Sequence, residues 1–140
     1  MPDDLAAANV NRSYSLAATS IAIFTFMLIF LYPRYRSGEI DPLPFQVTLV
    51  VMGIATFSFV FASFLYYAVS MHERFGADER IQLSRRGDFA WVIGYSLLFA
   101  VPSLILFTVG LLLVGSVWLA LWLVYVVFVL RNFPRVVHKG

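Results

Sequence analysis

From Phe89 to Leu130 the chain carries no Asp, Glu, Lys, Arg or His over 42 consecutive residues. Two further stretches, Ser13 to Tyr32 and Pro42 to Met71, are equally free of charge. Only 13% of the residues are charged, against roughly 25% in a soluble domain. Cysteine is absent, which excludes disulfide staples, thiol redox chemistry and Cys-ligated clusters. No carboxylate lies inside an apolar run, so the embedded acid of a proton-coupled carrier is missing. The histidines, His72 and His138, stand at the edges of the runs, so a haem held between spans has no axial imidazole. Paired carboxylates, a phosphate-binding glycine loop and a nucleophile elbow are missing too, and no enzyme activity, cofactor or metal is expected.

What remains is a hydrophobic chain, 61% apolar over 140 residues. A bilayer core takes ~20 residues per helix, so the charge-free runs predict an all-α integral membrane protein with four transmembrane helices in a single domain. The expected spans are about 13–32, 44–70, 89–110 and 115–133, with a polar loop at 71–88. Asp4 is a candidate cap for a longer first helix. Pro33 is expected to end the first span, and Asp41 followed by Pro42 reads as the N-cap and first residue of the second. That second helix has a possible extension to Phe75, stopped by Gly76. Asp78 to Leu83 suggests one short helical turn, and Asp88 reads as the N-cap of the third span. Pro102 predicts a kink there. Gly110 and Gly115 bracket the last turn. Asp3 and Asp4 stand where a signal peptide would be basic, so the first run is read as a permanent span.

Charge placement predicts orientation. Arg12, the second loop (Arg74, Arg80, Arg85, Arg86) and the C-terminal tail (Arg131, Arg135, Lys139) hold eight of the ten Lys and Arg residues. Arg34 and Arg36 in the first loop hold the other two. The positive-inside rule then puts both termini and the second loop in the cytoplasm. A bacterial cytoplasmic membrane is the expected location.

Within the spans, small and hydroxyl-bearing residues recur at helical spacing. Ser15, Thr19, Ala22 and Thr25 mark the first span; Gly53, Thr56, Val60, Ser63 and Tyr67 mark the second. Such stripes suit close helix packing or the wall of a wet pore. On the pore reading these nine positions line the axis of a symmetric homo-oligomer, since four helices enclose too little volume to form a core and a conduit together. Phenylalanines of the same spans, Phe57 and Phe61 among them, would gate such a path by dewetting. The fourth span instead carries Trp118, Trp122 and Tyr125, an aromatic face suited to a membrane partner.

The basic residues Arg12, Arg74, Arg80, Arg85, Arg86, Arg131, Arg135 and Lys139 form a candidate shelf for an anionic ligand, such as a nucleotide or oligonucleotide, or for anionic lipid headgroups. In size and layout, a few spans joined to a cytoplasmic basic surface, the whole chain resembles the small multi-span membrane effectors of bacterial antiphage defence. That resemblance implies a channel or pore opened from the cytoplasmic side; it carries no motif and transfers no residue role. The leading expectation is a homo-oligomeric channel or pore-forming effector. The alternatives are a non-conducting accessory or assembly subunit and a lipid-binding protein with an apolar groove at Pro102.

Overall fold

The computed structural model describes residues 2–71 and 75–137, with side chains over 7–71 and 75–132. His72, Glu73, Arg74, His138 and Lys139 lie outside the described residues, as does the side chain of Arg135. The described residues contain five helices: α1 (Pro2–Phe30), α2 (Tyr32–Arg36), α3 (Pro42–Ser70), α4 (Ala77–Thr108) and α5 (Leu112–Val137). All but α2 are long and apolar enough to cross a membrane. The chain is therefore an all-helical integral membrane protein.

Local chemistry sets most helix ends. Helix α1 stops at Phe30, and Pro33 enters the first turn of α2, where its missing amide hydrogen costs nothing. Gly38, at φ 78°, turns the chain where a side chain would be strained. The Asp41 carboxylate accepts from the Leu43 amide at 3.1 Å, capping α3 with Pro42 in its first turn as expected. Gly110, at φ 82°, makes the turn between α4 and α5.

Several boundaries differ from expectation: α5, expected over 115–133, runs from Leu112 to Val137 and passes through Pro134. Helix α1 begins at Pro2, so Asp4 lies inside it and does not cap it. Helix α3 ends at Ser70 and not at Phe75. Gly76, read from sequence as a stop, is instead the N-cap of α4, with its amide donating to the Glu79 carboxylate at 3.2 Å. Helix α4 then runs unbroken from Ala77, about three turns before Asp88, and the polar connection shrinks to 71–76. The physical reason is composition: Glu79, Arg80, Gln82, Leu83 and Arg85 are good helix formers, with no proline among them. Asp78 and Glu79 in the first turn also favour the positive helix end. At 32 residues, α4 is ~48 Å long and exceeds the ~30 Å hydrocarbon core. Its first three turns carry the basic residues.

Helices α1, α3 and α4 make the core. Met27, Phe45, Met52 and Val101 are buried together with Ile40 from the connection. Toward the basic end, Ala62, Tyr66 and Ala90 form a second cluster with Val10 and Trp91. Small residues bring α3 and α4 close: Gly94 sits against Phe59 and the Ala55 carbonyl, and Gly87 against the Tyr66 ring. Helix α5 packs chiefly on α4. It is held by the Ser103 hydroxyl donating to the Gly115 carbonyl at 2.8 Å and the Trp122 indole donating to the Ser96 carbonyl at 2.7 Å. Its remaining surface is Leu, Val and Phe facing outward. Pro102 interrupts no helix assignment, but it lacks the amide that would bond the Leu98 carbonyl.

Candidate functional site: an arginine-capped groove and an unpartnered face of α1

At the basic end a polar cluster ties three helices together. The Tyr66 hydroxyl, on a side chain only 4% exposed, donates to the Asp88 carboxylate at 2.6 Å. Gly87 leaves room for the Tyr66 ring: a Cβ there would lie 3.0 Å from it. The Arg12 guanidinium sits 4.6 Å from the centre of the Trp91 ring, a cation–π contact between α1 and α4. From Trp91 a ladder of rings continues through Tyr95 and Phe99 to Tyr125 on α5, with centroids 4.8, 4.9 and 5.4 Å apart. Asp88, read from sequence as a cap, is thus an inter-helix acceptor. Tyr66→Phe removes that hydrogen bond without changing the packed volume. Thermal unfolding in detergent is expected to show a loss of ~1.5–3 kcal/mol, as for a hydrogen bond to a charged acceptor. Unchanged stability would show that the bond contributes nothing.

Beside this cluster, α3 and α4 flank an open groove of about 940 Å³. Val50, Ile54, Phe57 and Phe61 supply the α3 wall; their spacing of four, three and four puts them on one helix face. Phe89, Ala90 and Ile93 supply the α4 wall, and Arg85 and Arg86 stand at its end. Ser58 is the hydroxyl of the lining, and it donates to the Ile54 carbonyl at 2.8 Å, so the walls offer a ligand almost no polar atom below the arginines. A second groove, about 760 Å³, lies between α1, α4 and α5 and is lined by Leu16, Ile23, Leu98, Pro102 and Trp118 among others. An apolar groove at Pro102 was expected from sequence, and this is its position.

The sequence-predicted pore positions do not fall on one surface. Ser15, Thr19, Ala22 and Thr25 are exposed on α1. Ser15 and Ala22 lie opposite the face through which Ser13, Ala17, Ser20 and Met27 enter the core, with Thr19 and Thr25 on its two flanks. On α3, Gly53, Thr56 and Val60 are half-buried, Tyr67 is exposed, and Ser63 is fully buried. The hydroxyls are satisfied locally: Thr19 donates to the Ser15 carbonyl, Thr56 to Met52 and Ser63 to Val60, at 2.8 to 2.9 Å. A helix can therefore carry them toward lipid, protein or water without leaving an orphaned donor.

The predicted basic shelf is divided. Arg85 and Arg86 share the groove mouth, Arg12 engages Trp91, Arg80 lies in the first turns of α4, and Arg131 is exposed near the end of α5. Arg74 and Lys139 fall outside the described residues. Of the aromatic face predicted on the last span, Trp122 and Tyr125 are engaged by α4 within the protomer, while Trp118 borders the second groove. The α3–α4 groove was missed from sequence; its signal was the run of phenylalanines in α3 and the arginine pair just before Phe89, which only the inter-helix register connects. Among the described residues no His, Asp and Glu group has a metal-binding arrangement. Comparison of the chain with protein-family models, curated proteins and solved structures gives no match.

Proposed function

We propose that the protein is a homo-oligomeric membrane channel whose axis is lined by the outward face of α1, and which is gated from the basic end by an anionic ligand. The observation that carries this reading is the contrast between the two outer helices. The free face of α5 presents Leu113, Val124, Phe128 and Leu130, side chains suited to acyl chains. Opposite its buried face, α1 presents Ser15 and Ala22, with Thr19 on the flank and Phe26 and Ile29 toward the end of the helix; the first three are small or hydroxyl-bearing residues of the kind that membrane helices turn toward one another or toward water. Copies arranged about a symmetry axis with α1 inward would bring a ring of these groups together. Phe26, 57% exposed beside that row, supplies the bulky ring for a dewetting gate.

The orientation that fits is the one with both termini and the α3–α4 connection in the cytoplasm of a bacterial cell. Arg131, exposed near the end of α5, would then face soluble anions. Ion flux through liposomes containing the purified protein tests the reading. Flux above protein-free liposomes, in the presence or absence of nucleotide, is expected; no leak under any of these conditions would refute conduction.

A further inference from the structure

The α3–α4 groove combines two chemistries that meet in one kind of ligand. Its walls are apolar over the stretch from Val50 to Phe61, about eleven helical steps and ~16 Å. That is about half of the ~30 Å hydrocarbon core, the depth of one leaflet. Two guanidinium groups stand at one end and none stands elsewhere on its lining. The groove is open sideways: Phe57 on its wall is 76% exposed, so a chain already lying in the bilayer can enter without crossing water. Arg85 and Arg86 share the α4 face that also carries Phe89 and Ile93, at helical steps of three, four and seven. The Asp88 carboxylate accepts from Tyr66 of α3, which fixes the register of this part of α4 against α3.

We infer that this groove is a binding site for an anionic glycerophospholipid of the adjacent leaflet, with one acyl chain along Val50, Ile54, Phe57, Phe61 and Ile93 and the phosphate against Arg85 and Arg86. Guanidinium suits the task because it pairs with phosphate through two parallel N–H···O bonds. A soluble nucleotide would leave the apolar length of the groove unused; a zwitterionic lipid would bring its own cation to the arginines. The inference goes beyond the channel reading and stands whether or not the protein conducts.

Gly53 provides a clean probe. It lines the groove, and a Cβ placed on it would meet no atom within 4 Å. Gly53→Leu therefore starts its side chain in open space and is expected to fill the site with the fold kept. The full-length protein in detergent is incubated with equal amounts of phosphatidylglycerol and phosphatidylcholine of the same chain length, and the retained lipid is counted by native mass spectrometry. Phosphatidylglycerol is expected to be retained preferentially. Arg85→Gln with Arg86→Gln is expected to lower its retention about tenfold while leaving phosphatidylcholine unchanged. Gly53→Leu is expected to lower retention at unchanged melting temperature, and free glycerol phosphate is expected not to compete. Equal retention of the two lipids, indifference to the arginine pair, or displacement by free glycerol phosphate would each overturn the proposal. So would a Gly53→Leu protein that keeps its lipid but changes its oligomeric state, because the groove would then be an interface between copies.

Discussion

Gly94→Leu is expected to destabilise the protein by ~3 kcal/mol or more, the upper end of the usual penalty for overpacking. Gly94 is a point of close approach between α3 and α4. A Cβ there would lie 3.0 Å from the Phe59 ring and 3.1 Å from the Ala55 carbonyl oxygen. The ring can rotate a little, although Phe59 is fully buried; the carbonyl belongs to the backbone of α3 and cannot move without the helix. A leucine at this position must push the helices apart along the Ala55, Phe59, Ala62 and Ala90 contacts, which no other helix replaces. Gly53→Leu is the matched control, the same substitution within a membrane helix but into open space. Melting in detergent micelles should separate the two variants widely. Equal stability would mean that α3 and α4 do not approach at Gly94, and the core assigned to them would be wrong.

The second large effect concerns flux. If α1 lines an axis, Thr19, exposed on the flank of its outward face, lies at the wall. Thr19→Leu replaces a hydroxyl with an apolar branch at every subunit of the ring, so the change is multiplied by symmetry. A hydrophobic constriction excludes water before it excludes ions sterically, and flux in liposomes is expected to fall by about tenfold or more. Val124→Ala on the free face of α5, 69% exposed, is expected to leave flux unchanged. A Thr19→Leu protein that conducts like the parent would remove α1 from the axis. Ser63→Leu is a poor probe of the same question, because Ser63 is fully buried in the protomer and its replacement would disturb packing first.

Much of the architecture was legible because membrane spans are written in charge. The four apolar helices follow from the charge-free runs, and the turns at Pro33, Asp41-Pro42 and Gly110 follow from proline, aspartate and glycine chemistry. Elements whose reading depended on a distant partner were not legible. Asp88 has the local signature of a cap, yet its partner is Tyr66 on another helix, and the helix formers between Glu79 and Arg85 carry α4 back to Ala77 past it. Gly76 is permissive both at a helix end and at a helix start, and Glu79 three residues later favours the start. The α3 stripe is periodic in sequence, but periodicity does not say which of two faces is occupied. In the fold Ala55, Ala62 and Ser63 are buried, while Ile54, Phe57 and Phe61 remain on the groove side. The arginine-capped groove escaped for the same reason: Phe57 and Arg85 are neighbours only through the register of α3 against α4.

The outward face of α1 as the surface on which copies meet is the central claim, and the absence of cysteine permits a direct measurement of it. Single cysteines at Thr19 on α1 and at Leu121 on α5 are introduced separately, and membranes holding each protein are treated with a thiol oxidant. Thr19→Cys is expected to give a covalent dimer in high yield and Leu121→Cys little. A monomer from Thr19→Cys, with or without a dimer from Leu121→Cys, would contradict an assembly built around α1.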